Sequence, residues 1–154
     1  VRNARPRGDR AVSAVAFRNV VATPSDPVDS WPFEALVETL ERGLVPDWQP
    51  VLADIRRHPW GRVARRVGRW AAMLEGDPAA RLFTLAIERA RQRRETDERD
   101  EVAHEISDAI AGSGITAAEF AASVGTSASR LSTYATGRVV PSATMLVRIR
   151  RARD

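Results

Sequence analysis

From residue 30 to residue 90 the apolar side chains recur three and four positions apart, the spacing of helices that bury one face. Phe33, Leu36, Val37 and Leu40 define a first helix, capped by Asp29 or Ser30, running to about Glu41 and stopped by Gly43. Asp47 is placed to cap a second, WQPVLADIRRH, in which Pro50 is tolerated as part of the first turn; His58-Pro59 ends it. Val63, Val67, Trp70, Ala71 and Leu74 mark a third from about Gly61 to Leu74, and Gly76-Asp77-Pro78 makes a stop and a restart. A fourth begins near Ala79, with Leu82, Phe83, Leu85, Ala86 and Ile87, and meets no Gly or Pro until Gly112. It reads as one long helix or as two broken near residues 95–97. Its middle, RQRRETDERDE, has no apolar residue between Ala90 and Val102, and oppositely charged neighbours four apart support it as a solvated bridge. Ahead of these helices, residues 19–30 form a Pro- and Asp-rich connector with no regular structure expected, and residues 1–16 show no helical period.

The pattern changes at residues 115–142, ITAAEFAASVGTSASRLSTYATGRVVPS. Thr116 is placed to cap a short helix, Gly125 supplies a tight turn that favours positive φ, Ser127 caps a second helix and Gly137 closes it. Phe120, Val124, Leu131 and Tyr134 form the inward seam of the pair, and Ala121 is small enough for the helices to cross closely. That crossing leaves the outer face of the second helix free to enter a DNA major groove.

On those residues the segment 102–151 resembles the XRE family of phage-repressor and Cro-like DNA-binding domains. The likeness runs without a gap from Ile115 to Ile149 and covers about the last third of the chain. It rests on Ile115-Thr116 at the opening, on Ala121 and Gly125 four apart, and on Leu131. Tyr134 in an S-x-Y-x-x-G pattern, Gly137-Arg138, and Pro141-Ser142 opening the next helix complete it. The resemblance implies a lambda-repressor-like helix-turn-helix domain whose helix 127–136 reads base edges through Ala128, Ser129, Arg130 and Thr133. Phosphate contacts are implied at Thr116, Ala117, Ser127, Thr136, Gly137 and Arg138, where helix N-termini and the loop after the recognition helix meet the backbone. Ser and Thr pair with several bases and Ala touches a thymine methyl, so this face is less selective than the Gln- or Arg-rich helices of well-specified repressors.

Charge agrees with that orientation. All 24 basic residues are Arg, a usage that GC-rich codons explain, and the guanidinium fork suits phosphate and guanine alike. The net charge of +4 divides into +4 over residues 1–18, −1 over 19–100 and +1 over 101–154. From Thr126 to Arg153 there are six Arg and no acid. Cationic charge thus gathers on a basic, flexible arm (1–18) and on the DNA-facing half of the last domain (96–154), with a helical domain (19–95) between them.

The chain has no Cys, no apolar run near the length of a membrane span and no signal-peptide pattern, so a cytoplasmic protein, nucleoid-associated when bound to DNA, is expected. His58 and His104 are isolated and no phosphate loop or nucleophile motif is present, so neither enzyme chemistry nor a metal or cofactor is expected. The expected architecture is all-α: an N-terminal helical domain joined by a long helix to a C-terminal helix-turn-helix domain. The expected function is sequence-specific binding of double-stranded DNA by a homodimeric transcriptional regulator, a repressor by default. Family members commonly carry a fifth helix and this sequence ends at Asp154, so dimer contacts are expected from the N-terminal helices or from residues 79–111. Two alternatives stand beside this reading. One is an antitoxin that binds its operator and masks a partner protein through the Trp-bearing N-terminal domain. The other is a helix-turn-helix turned protein-interaction module.

Overall fold

A computed structural model describes residues 17, 18 and 20–153. The proposed basic arm lies almost wholly outside the described residues. Among those described, the chain is all-helical: a 3-10 turn at Val28–Ser30 and seven α-helices, with no strand. It divides into two compact units, Val1–Arg91 and Gln92–Asp154, each with its own core.

The first unit contains α1 (Phe33–Arg42), α2 (Val45–Arg57), α3 (Arg62–Ala72) and the start of α4 (Pro78–Gly112). The expected stripes turn inward: Leu36 and Leu40 from α1, Val63, Val67 and Trp70 from α3, and Phe83 and Ile87 from α4 are buried. Phe83 is their hub, meeting Trp48 and Trp70 edge-on at centroid distances of 5.5 and 6.1 Å.

Three boundaries differ from the sequence expectation. Asp29 and Ser30 do not cap α1; they sit in the 3-10 turn, where Ser30 Oγ donates to the Pro27 carbonyl at 2.6 Å. The Trp31 indole donates to the Asp26 carbonyl at 2.9 Å, so the connector is held by its own side chains, and α1 starts after Pro32, whose ring presets φ. The second helix starts at Val45, ahead of Asp47, whose carboxylate reaches back to accept from the Leu44 N–H at 2.8 Å. Pro46 then occupies the first turn, and Pro50 falls inside the helix, where it removes a bond to the Pro46 carbonyl. The third difference is the stop of α3 at Ala72, two residues before Leu74.

The long helix is continuous. Asp77 caps α4 by accepting from the Ala80 N–H at 2.8 Å, and no break occurs near residues 95–97. The second unit holds the remainder of α4 with α5 (Ala117–Ser123), α6 (Ala128–Ala135) and α7 (Ala143–Arg153). Ile106, Phe120, Leu131 and Ile149, one from each helix, are at most 1% exposed and form its centre.

Candidate nucleic-acid interface

The turn between α5 and α6 is made by Gly125, at φ +75°, a conformation costly for residues with a Cβ. Its N–H donates to the Ala122 carbonyl at 3.1 Å, while Thr126 N–H returns to the Ala121 carbonyl at 2.9 Å, closing α5. The chain leaves this elbow with Ser127 extended, and Ser127 Oγ accepts from the Arg130 N–H at 3.2 Å. The N–H groups of Ala128 and Ser129, in the first turn of α6, have no carbonyl partner within the helix.

Along α6 the inward and outward faces separate cleanly. Leu131 and Tyr134 are buried; Ala128, Ser129, Arg130 and Ser132 are exposed. Thr133 is half-buried, and its hydroxyl donates to the Arg130 carbonyl at 2.7 Å. It therefore offers an acceptor and a methyl group outward, not a donor. The helix closes at Thr136, whose hydroxyl donates to the Ser132 carbonyl at 2.8 Å, and at Gly137, φ +68°. Ser107 of α4 donates to the Ala135 carbonyl at 3.2 Å, fixing this end of α6 to the core. A Cβ on Gly137 would lie 3.6 Å from Ala103 Cβ and 3.9 Å from Asp100 Oδ1, so the loop that presents exposed Arg138 rests on α4.

The N-terminus of α5 is built differently. Thr116 Oγ1 accepts from the Glu119 N–H at 3.3 Å and donates to Glu119 Oε2 at 2.7 Å; the Thr116 N–H donates to the same oxygen at 2.9 Å. This reciprocal cap holds the Glu119 carboxyl below its usual range, first through the Thr116 hydroxyl and then through its N–H. Both donors of Thr116 are engaged by an anion already, which competes with a phosphate at Thr116 and Ala117.

Tertiary packing also sorts the arginines. Arg150 is turned to α4 in a two-pronged pair with Glu105, Nε to Oε1 at 2.6 Å and Nη2 to Oε2 at 3.0 Å. The Arg150 hydrogen bond holds the Glu105 carboxyl below its usual range, so this cation belongs to the domain's own structure. Arg130 and Arg138 have no carboxylate partner among the described residues. Arg148 is a residue that linear reasoning passed over: its Nη1 lies 3.5 Å from where a Gly125 Cβ would be, beside the elbow and the start of α6. Only the α7 packing angle reveals this, since Arg148 is otherwise one member of an Arg-rich terminal run.

His58 and His104 make local contacts, His58 Nδ1 with Asp54 Oδ1 at 3.3 Å and His104 Nδ1 with the Asp100 carbonyl at 2.8 Å. Among the described residues no helix is long and apolar enough to cross a membrane. The chain matches no family model, and no match was found among curated proteins or among solved structures.

Proposed function

We propose that the protein is a sequence-specific DNA-binding transcriptional regulator, acting as a repressor, whose α5 and α6 form an XRE-type helix-turn-helix. The reading rests on one observation above the others. α6 is held by buried Leu131 and Tyr134 while Ala128, Ser129 and Arg130 stand exposed in a first turn that carries no acidic residue. In a major groove, Arg130 pairs with guanine O6 and N7, Ser129 bonds a neighbouring base edge, and Ala128 and the Thr133 methyl contact thymine methyls. The free N–H groups after Ser127, with Thr136, Gly137 and Arg138 beyond the far end of the helix, receive phosphates and set the register. Arg148 joins them at the elbow. Two chains reading half-sites about 34 Å apart, one helical turn, account for useful affinity from so small a motif.

A gel-shift against the DNA upstream of the protein's own gene tests this. Arg130→Ala is expected to lose about 1–3 kcal/mol of binding, a fall of roughly five- to 150-fold, if the contact is bidentate to guanine. Binding is expected to weaken by about 0.9 log units per log unit of salt for each phosphate neutralised. If both Arg130→Ala and Ser129→Ala keep wild-type affinity and footprint, the base-reading residues are misassigned. Failure of the wild type to bind any duplex at low salt removes the regulator reading itself.

A further inference from the structure

A second cationic surface lies in the Val1–Arg91 unit. A groove of about 930 Å³ runs between α3 and α4, and Arg62, Arg65, Arg66, Arg69 and Arg91 line it against one carboxylate, Glu88. Three of these guanidiniums are pinned by main chain: Arg65 Nη1 to the Trp60 carbonyl at 2.8 Å, Arg66 Nη1 to that of Trp31 at 2.6 Å, and Arg91 Nε to that of Pro59 at 3.2 Å. Such contacts orient a cation without neutralising it. Among the described residues, none of the five is in an ion pair. Burial and then the charges of Arg62 and Arg69 pull Arg66 below its ordinary value, opposed by Glu34 from α1, as expected where cations crowd together.

The groove is not polar throughout. Its floor is Ala64, Gly68, Ala71 and Ile87, small or apolar residues set below the arginine rims. Toward the other end of the same helices a second concavity of about 700 Å³ shares Ala71, Thr84 and Glu88 with the first. It is lined by Leu74, Leu82 and Leu85, with Glu75 and Arg81 beside them, and Leu82 and Leu85 are 44% and 46% exposed. The lining keeps helical spacing, with positions 62, 65, 66 and 69 on α3 and 84, 88 and 91 on α4, so the groove runs between two helical ridges.

These features select the occupant. A phosphate polymer would satisfy the arginines and leave the Leu82–Leu85 end and the Ala-Gly floor unused. A second copy of this face would set Arg against Arg, and residues 1–16 of the chain, with four Arg and one Asp, bear the same sign as the groove. We propose that the α3–α4 face docks an acidic amphipathic helix of a partner protein, its apolar seam running over half-buried Gly68 toward exposed Leu82 and Leu85 and its carboxylates on Arg62, Arg65, Arg69 and Arg91. α3 is about 16 Å long at 1.5 Å per residue, so about three turns of the partner are engaged. The proposal uses no residue of α5, α6 or α7 and stands apart from the DNA reading.

The test is fluorescence anisotropy on the full chain with a labelled amphipathic peptide of about four turns, Leu on one face and Glu on the other. Tight, saturable binding is expected, weakened about tenfold or more when every Glu of the peptide becomes Gln. Arg62→Glu with Arg69→Glu should weaken it by at least as much. Gly68→Leu, which keeps every charge, should abolish it by filling the floor; a Cβ there has room, 3.9 Å from Ile87 Cδ1, but a full Leu occupies the groove. If charge reversal disturbs folding, judged by the Trp emission, Arg62→Gln with Arg69→Gln carries the same comparison. No binding of the Glu peptide, or binding indifferent to these substitutions, overturns the proposal. So does Arg62- and Arg69-dependent binding of labelled polyphosphate where the peptide fails, which would make the face a phosphate site. Duplex DNA that neither displaces the peptide nor is displaced by it separates this outcome from that of the gel-shift.

Discussion

Gly125 holds the α5–α6 elbow for a reason that resides in one backbone angle. At φ +75° a residue with a Cβ is strained by about 1–2 kcal/mol, whereas the space around it is open except for Arg148 Nη1 at 3.5 Å. Gly125→Ala is therefore expected to destabilise the second unit by about 1–2 kcal/mol, and Gly125→Asn by less, in urea titrations followed by circular dichroism. Equal stability of the Ala and Gly forms would show that the elbow relaxes to another conformation. Glu105 offers a test of sign. Its carboxyl is depressed by the Arg150 hydrogen bond, so it stabilises the fold above its unfolded value and that contribution disappears as pH falls through the folded one. Glu105→Gln is expected to melt earlier than wild type at pH 7, with the difference closing as pH falls below about 4.3. A gap that stays constant down to pH 3 would deny the ion pair a role. The Thr116 cap and the Gly125 turn were legible from residue type and order. The Glu105–Arg150 pair was not, because its members are 45 residues apart and no local rule couples them.

Elements differ in how much they depend on tertiary contacts. α6 buries the residues its periodicity marks and α3 does so for Val63, Val67, Trp70 and Ala71, leaving Leu74 half-buried beyond its end. α1 and α2 were placed correctly in kind, but their starts moved. The first moved because Ser30 and the Trp31 indole bind carbonyls in the preceding connector, the second because Asp47 caps from the third position of α2 rather than from before it. α4 is the unusual case. Its ends carry buried Phe83, Ile87 and Ala90 and then Ala103, Ile106 and Ala109, while residues 92–101 are exposed on every face. No side chain of that middle stretch is buried, so helix propensity rather than a core holds most of it. Amide hydrogen exchange is expected to be faster at residues 93–100 than at 83–90 or 103–109. Uniform protection along α4 would point to a partner surface covering the bridge.

At the scale of the whole molecule, two cores that share no residue are expected to unfold separably. All four Trp fall in the first unit and Tyr134, the only tyrosine, in the second, so the two can be followed independently. Phe83→Ala, which removes the hub between Trp48 and Trp70, is expected to cost about 3–5 kcal/mol and shift the Trp-emission transition. Leu131→Ala, at a site 1% exposed, is expected to cost about 2–5 kcal/mol in the second unit and leave the Trp transition in place. A common shift of both signals by either substitution would mean that the units unfold as one.

The order of apolar and polar residues determined by itself that this chain is helical, where most of its helices run and which side of each is buried, because those properties arise within a few turns of chain. Turn glycines and capping hydroxyls were equally local. Tertiary structure alone decided which cations remain available. It drew Arg150 onto Glu105, set Arg148 beside Gly125, and lined one groove with five arginines from two helices. Side-chain charge is written in sequence, but its neutralisation depends on distance in space, which only packing supplies.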